Sequence, residues 1–294
     1  MKQKLLRGIF APLTTPFSET GDVRYDHLEY NMEKYAASGI QGYLVFGSNG
    51  ENKSLLNSEK EKILASVIRN KAPGQIVMAG SIYESTMETI EFALLTAEAG
   101  ADYITLLAPS YFKSEMKDSV LVKYFTDVAS AVGIPCLLYR APQFSGGIDL
   151  SPRLVRECAE HPNIAGIKDS SSGGIEKILH AVPESFSVLS GSANTFFPAM
   201  LNGAAGGVLS LADYLPGKAV ELYDAIAGGS LGKASELNRK IIALNIEISG
   251  TYGVAGVKSA MDSAGFRGGV PRLPLLPIPP EGAEKIKKIL NTYP

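Results

Sequence analysis

Short apolar segments alternate along the chain with longer segments whose apolar residues recur at helical spacing. The short ones fall at residues 8–16, 42–47, 75–81, 102–109, 134–140, 164–168, 187–191 and 206–211. The longer ones include Glu59-Lys60-Glu61-Lys62-Ile63-Leu64-Ala65-Ser66-Val67-Ile68 and Val120-Leu121-Val122-Lys123-Tyr124-Phe125. Capping chemistry marks several helix starts. Ser58 and Ser85 each stand three residues before a carboxylate, and Ser151-Pro152 puts proline in a first turn, where its missing N–H costs nothing. Gly39, Gly100 and Gly133 stand just before strands, where a helix end needs a residue tolerant of positive φ.

Eight such units in series predict a (β/α)₈ TIM barrel, an α/β fold. An open, doubly wound sheet is the competing arrangement, but the first βα turn carries no dinucleotide fingerprint. Beyond residue 215 the strand pattern stops, and 216–227, 230–249, 254–264 and 281–292 read as helices with a Pro-rich link at 271–280. The expected organisation is a barrel with the catalytic site over residues 1–214 and a C-terminal helical domain over 215–294.

Composition narrows the class. With 45% apolar and 20% charged residues, the 294-residue chain has material for a large core and no case for disorder. A net charge of −2 removes the electrostatic basis for a nucleic-acid partner. Cys136 and Cys158 cannot make a disulfide framework, so a cytoplasmic setting is expected. His27, His161 and His180 show no zinc spacing, so no metal is expected. No apolar run approaches the roughly 18 residues that span a bilayer, so no membrane partner is expected either. Arg7 interrupts the N-terminal apolar stretch, which reads as the start of the first strand rather than a signal peptide.

In a barrel of this kind, chemistry sits where strands end and βα loops begin. Strand two ends in Gly47-Ser48-Asn49-Gly50-Glu51, whose backbone N–H groups can form a nest for a carboxylate or serve as an ordinary capped loop. Strand six ends in Ile167-Lys168-Asp169-Ser170. A lysine after a buried apolar run either pairs its charge, here with Asp169, or loses its proton and becomes a nucleophile able to form a Schiff base with a carbonyl. Tyr139, at the end of the adjacent strand five, packs or passes protons to the reacting carbon. Gly203-Ala204-Ala205-Gly206-Gly207 reads as a phosphate cradle or as tight backbone packing.

Together these residues resemble the dihydrodipicolinate synthase and N-acetylneuraminate lyase family of pyruvate-dependent class I aldolases. The resemblance runs from Ala11-Pro12-Leu13-Thr14-Thr15-Pro16-Phe17 through Gly166-Ile167-Lys168-Asp169 into the C-terminal helices. It implies a lyase without organic cofactor or metal, acting on a small 2-keto acid and an aldehyde, and a homotetramer built as a dimer of dimers. Lys168 is similar to the Schiff-base lysine and Tyr139 to the proton-shuttling tyrosine. Ser48 and Asn49 occupy the turn that holds the keto-acid carboxylate, and Tyr111 resembles the tyrosine that enters the neighbouring subunit's site and completes a relay with Ser48 and Tyr139. Gly191 and Val208 fall at substrate-contact positions.

Departures from the family pattern bear on substrate. Synthases of the lysine pathway carry an arginine five residues after the site tyrosine, where this chain has Phe144; Arg140, directly after Tyr139, is the candidate replacement cation. The loop from Asn52 to Ser58, with Lys60 and Ser110, gives no support to lysine feedback inhibition. Gly47-Ser48-Asn49-Gly50-Glu51, Ala79-Gly80-Ser81, Glu84-Ser85-Thr86 and Lys168-Asp169-Ser170 are closest to the 4-hydroxy-2-oxoglutarate aldolase branch, which adds Ser170 as a substrate-binding candidate. The leading expectation is a class I aldolase for 4-hydroxy-2-oxoglutarate or a 2-keto-3-deoxy sugar acid. The alternatives are dihydrodipicolinate synthase, a sugar-acid dehydratase and a non-catalytic keto-acid-binding regulator.

Overall fold

In the computed structural model, which describes residues 6–292, the eight short apolar runs form parallel strands. These are β1 Gly8–Ala11, β2 Gly42–Val45, β3 Ile76–Ser81, β4 Tyr103–Leu107, β5 Cys136–Arg140, β6 Ile164–Asp169, β7 Ser187–Ser190 and β8 Gly206–Val208. Each pairs with its sequence neighbours, and β1 also pairs with β8, so the sheet closes and the open-sheet alternative is excluded. Residues 1–5, which the sequence assigns to the start of the first strand, and 293–294 of the C-terminal unit lie outside the described residues.

Side-chain alternation gives the barrel two cores. Phe10, Leu44, Met78, Leu137, Leu189 and Val208 point inward and fill the barrel. Ile9, Val45, Val77, Ile104, Leu106 and Leu138 point outward against the helical ring. Strands buried on both faces need continuous apolar runs, which is why these segments read clearly in the sequence. Seven helices follow the first seven strands in turn: α1 Tyr25–Ala36, α2 Asn57–Asn70, α3 Thr86–Glu98, α4 Asp118–Ala131, α5 Pro152–Cys158, α6 Ile175–Ala181 and α7 Ala193–Leu201.

Ser85 and Ser151 cap their helices as expected, accepting from the N–H groups of Glu88 and Leu154. Helix α2 departs from expectation: it starts at Asn57, and Glu59 reaches back to the Leu56 N–H at 2.8 Å. Gly39 and Gly100 have positive φ; Gly133 does not. The predicted strands at 8–16 and 206–211 are longer than those observed, because their C-terminal ends leave the sheet to form loops at the barrel mouth. Leu211 opens a one-turn helix, α8 Leu211–Tyr214.

The C-terminal extension comprises α9 Pro216–Ala227, α10 Leu231–Asn245, α11 Thr251–Ser263 and α12 Pro280–Asn291. The break expected between residues 249 and 254 falls at Gly253, whose φ of 57° and ψ of −142° are non-helical, and ahead of it a π-helical turn at Ile246–Gly250 carries α10 past residue 249. Lys258 of α11 is fully buried, pairs with Glu51 at 2.5 Å, and donates to the carbonyls of Thr15 and Val270. Burial pulls its pKa down to about 8 against the charge of Glu51. This pair ties the extension to the loop after β2. Among the described residues, no helix is long and apolar enough to cross a membrane, and no group of three metal-ligating side chains is assembled.

Candidate active site

Parallel pairing of β5 and β6 sets the central geometry. Tyr139 is the register partner of Lys168, and Arg140 that of Asp169. Within β5, Leu137 and Tyr139 face the barrel interior while Cys136 and Leu138 face the helices. In β6 the alternation is interrupted. Cys136 pairs with Ile164 but Leu137 pairs with Gly166, leaving Ala165 as one extra residue. Ile164 and Ile167, three apart, therefore both face outward, and Lys168 follows on the inner face. Without that bulge the inward Ala165 would be followed by an outward Lys168. Gly166 is required there because a Cβ would lie 2.2 Å from the Ser187 carbonyl oxygen.

The Nζ of the buried Lys168 lies 4.4 Å from the centre of the Tyr139 ring, and the Tyr139 hydroxyl is 3.4 Å from Ser48 Oγ. These three side chains open into one cavity of about 490 Å³, which Asn49, Ser170, Gly191 and Val208 also line. Seven of the nine residues singled out from the sequence thus meet in one place. Gly191 permits the closure, since a Cβ there would lie 1.9 Å from Ser170 Oγ. The turn after β2 begins at Phe46 and ends at Glu51, both with positive φ, a strained backbone at the mouth of the site. Its Gly50 and Glu51 N–H groups bond back to Gly47 and Ser48. Among the described residues nothing engages the N–H groups of Ser48 and Asn49.

Two residues lie elsewhere. Arg140 does not reach the cavity, which corrects its candidacy as a substrate-binding cation. It follows Tyr139 on a strand and so faces the opposite way. Its guanidinium is held bidentately by Asp149 at 2.6 and 2.7 Å, and by Asp169 at 2.9 Å. This also removes Asp169 as the partner of Lys168. Tyr111 is 79% exposed on the loop after β4, edge-on to Phe112, with its N–H held by Glu84. Within a single chain it does not line the cavity of Ser48 and Tyr139. Of the 203–207 glycines, Gly206 and Gly207 serve packing, since a Cβ on Gly206 would lie 2.0 Å from the Gly8 carbonyl oxygen where the barrel closes, while Gly203 supplies a positive φ in open space.

Phe144, the departure noted in the sequence, does line the cavity, but most of the outer wall and the floor went unread. Gln143, Asn194, Asn245, Ser249, Gly253 and Leu275 line the cavity from the loop after β5, the start of α7, the α10–α11 junction and the Pro-rich link. Asn245 Nδ2 donates to Asn194 Oδ1 at 3.0 Å across the mouth. Below the turn, Asn49 Nδ2 lies 2.9 Å from Ser210 Oγ and 3.0 Å from Asp213 Oδ2. Asp213 is completely buried, and burial pushes its carboxyl well above the usual carboxylate range, opposed by the Asn49 contact and the charge of Lys168. An aspartate within Leu211-Ala212-Asp213-Tyr214 was the available signal.

Comparison with known proteins agrees with this architecture. The model of the dihydrodipicolinate synthetase family matches residues 5–293. A 4-hydroxy-tetrahydrodipicolinate synthase of Methanoculleus marisnigri is 32% identical, covering 98% of this chain and 100% of that one. A probable mitochondrial 4-hydroxy-2-oxoglutarate aldolase of Emericella nidulans is 31% identical, covering 98% and 94%. Among solved structures, the E. coli K12 prophage protein YagE, in complex with pyruvate, superposes with a TM-score of 0.91 at 27% identity, covering 98% and 99%. An eight-stranded barrel with this helical extension is the fold of a class of synthases and aldolases, all lyases. The chain belongs to the dihydrodipicolinate synthetase family, and it is an enzyme of that lyase class.

Proposed function

We propose that the protein is a class I aldolase that forms a Schiff base between Lys168 and a 2-keto acid. The observation that carries this reading is the juxtaposition of Lys168, Tyr139 and Ser48 in one cavity beneath a turn with two free N–H groups. The keto-acid carboxylate is held by the Ser48–Asn49 turn, which brings the keto carbon to the lysine. The neutral amine of Lys168 adds to that carbon. The carbinolamine loses water, its hydroxyl leaving with a proton relayed through Tyr139 and Ser48. Tyr139 takes the C4 hydroxyl proton as the C3–C4 bond breaks, the iminium accepts the electron pair and an aldehyde departs; the enamine then regains a proton at C3, and water hydrolyses the imine to release the 2-keto acid and the Lys168 amine. Run in reverse, the enamine attacks an aldehyde. No metal or organic cofactor enters the scheme.

Substrate preference follows from the rest of the wall. Among the described residues that line the cavity, Lys168 is the one cation, Phe144 stands at its rim, and Arg140 is committed to two carboxylates. That favours a 2-keto-3-deoxy sugar acid, whose neutral hydroxylated tail can meet Ser170, Gln143, Asn194 and Asn245, over aspartate semialdehyde; 4-hydroxy-2-oxoglutarate, favoured instead by a named relative, would rest its second carboxylate on the same neutral polar groups. Dihydrodipicolinate synthesis is the second reading, favoured by the names of most similar relatives. The exposed Tyr111–Phe112 pair fits a homotetramer in which Tyr111 serves a neighbour's relay.

Borohydride reduction with pyruvate, followed by peptide mass mapping, tests the mechanism. An adduct on Lys168 that Lys168→Ala abolishes is expected, and an undiminished adduct in that variant overturns the assignment. Assays with 4-hydroxy-2-oxoglutarate, 2-keto-3-deoxy sugar acids and aspartate semialdehyde then separate aldolase, dehydratase and synthase.

A further inference from the structure

The turn after β2 offers its backbone to a bound acid. The Asn49 amide donates inward, to Ser210 Oγ at 2.9 Å and Asp213 Oδ2 at 3.0 Å, which leaves the N–H groups of Ser48 and Asn49 for a carboxylate. Where those N–H groups point depends on Phe46 and Glu51, non-glycine residues held at left-handed φ of 58° and 52°. Such a backbone persists only where its surroundings over-determine it. One side chain of the C-terminal extension does so twice. Lys258 Nζ lies 2.5 Å from Glu51 Oε1, an oxygen with no in-line donor of its own, and donates to the Thr15 carbonyl at 2.7 Å. Thr15 in turn donates through its hydroxyl to the Gly50 carbonyl at 2.8 Å. Lys258 thus grips two consecutive residues of the turn, Glu51 by charge and Gly50 through Thr15. The other Glu51 oxygen accepts from the Arg272 N–H at 2.9 Å.

We propose that Lys258 and Glu51 are positioning residues for the substrate carboxylate: their ion pair, with the Lys258–Thr15–Gly50 chain beside it, fixes the turn in the conformation that presents the Ser48 and Asn49 N–H groups to the cavity. The proposal rests on the Schiff-base reading for its substrate and on the contacts of the turn for its geometry. Cohesion alone does not ask for this pair. Val257, Ala260 and Met261 already bury the apolar face of α11 in the core, and a buried ion pair adds little stability over apolar groups of the same shape. What such a pair supplies is a fixed direction, and this one is set at the last residue of a strained turn. Neither Lys258, Glu51 nor Thr15 lines the cavity, so all three act through the turn.

Borohydride trapping with two carbonyl compounds tests this. Pyruvate carries the carboxylate; pyruvamide keeps the reacting ketone and replaces the carboxylate with a neutral amide. Half-saturation by each is measured in folded wild type, Lys258→Met and Thr15→Val. Lys258→Met keeps the length of the side chain and drops its charge. Thr15→Val keeps the shape and removes only the hydroxyl that reaches Gly50, so it decides the matter if stripping Glu51 of its partner keeps Lys258→Met from folding. Half-saturation by pyruvate should rise about tenfold in Lys258→Met and about threefold in Thr15→Val, while that by pyruvamide stays about the same. A general loosening, or a displaced Lys168, would weaken both compounds alike. Equal shifts therefore overturn the proposal, and so does unchanged half-saturation by pyruvate in either folded variant. A wild type that forms no adduct with either compound overturns the Schiff-base reading instead. Calorimetric titration with pyruvate, which needs no adduct, then carries the comparison: weaker binding by the same factors upholds the positioning role, and equal binding overturns it.

Discussion

Arg140 and Lys168 show how far one residue's fate depends on strand parity. Both are buried cations at strand ends, yet one is locked between Asp149 and Asp169 and the other stands over Tyr139 in the cavity. Replacing Arg140 with alanine should therefore leave the cavity's chemistry in place and destabilise the fold. The buried Asp169 would retain only its contacts with Ser171, and stripping a partner from a buried charge costs about 3 kcal/mol. Urea denaturation of folded wild type and variant measures that loss. If Arg140→Ala instead weakened keto-acid binding at unchanged stability, its assignment to the outer face would be wrong. Lys168, Tyr139 and the Ser48–Asn49 turn were legible in the sequence because polar side chains at the end of an apolar run stand out. The direction of Arg140 was not legible, since it depends on its strand's parity and on Asp149, nine residues further along. Asp213 escaped notice because the segment around it reads as a continuation of β8, while it folds as a one-turn helix whose environment is supplied by α1 and the turn after β2.

At the scale of an element, β6 is the decisive strand. Its position and length follow from Ile164-Ala165-Gly166-Ile167, but the extra residue at Ala165 is a property of its pairing with β5 and leaves no mark in a single segment. The glycine beside it is the one local trace. Gly166→Ala places a Cβ against the Ser187 carbonyl, and relief requires β6 and β7 to separate. The expected cost is about 3 kcal/mol, at the upper end for overpacking. A lower thermal midpoint together with a weakened pyruvate adduct is the expected pair of observations, because the same shift turns Lys168. The junction of α10 and α11 was legible in part. Gly253 breaks the helix with a non-helical φ of 57° and ψ of −142°, so a new helical stretch starts at Val254 as its sequence predicts, whereas the π turn at Ile246–Gly250 that carries the preceding helix past residue 249 left no local mark.

For the molecule as a whole, the closed barrel was legible because eight two-sided strands leave eight apolar runs. The path of the C-terminal extension over the mouth was not, since it is set by long-range pairs such as Glu51–Lys258 and Asn194–Asn245. Global stability carries the signature of the buried acid. A carboxyl whose pKa is raised by folding binds its proton more tightly in the native state. The wild type therefore loses stability as pH rises from the ordinary carboxylate range toward the native Asp213 value. Asp213→Asn has no such proton to lose, so its stability relative to wild type should improve from pH 5 to pH 8. Thermal midpoints across that range check the sign, and a constant difference would refute it. The π turn, the kink at Gly253 and Leu275 of the Pro-rich link all lie far downstream of residue 168, yet they wall the cavity that holds Lys168 and Tyr139. During synthesis the lysine and tyrosine thus emerge well before the wall that encloses them. A nascent chain, or one clipped ahead of the π turn, would carry both side chains in an open mouth.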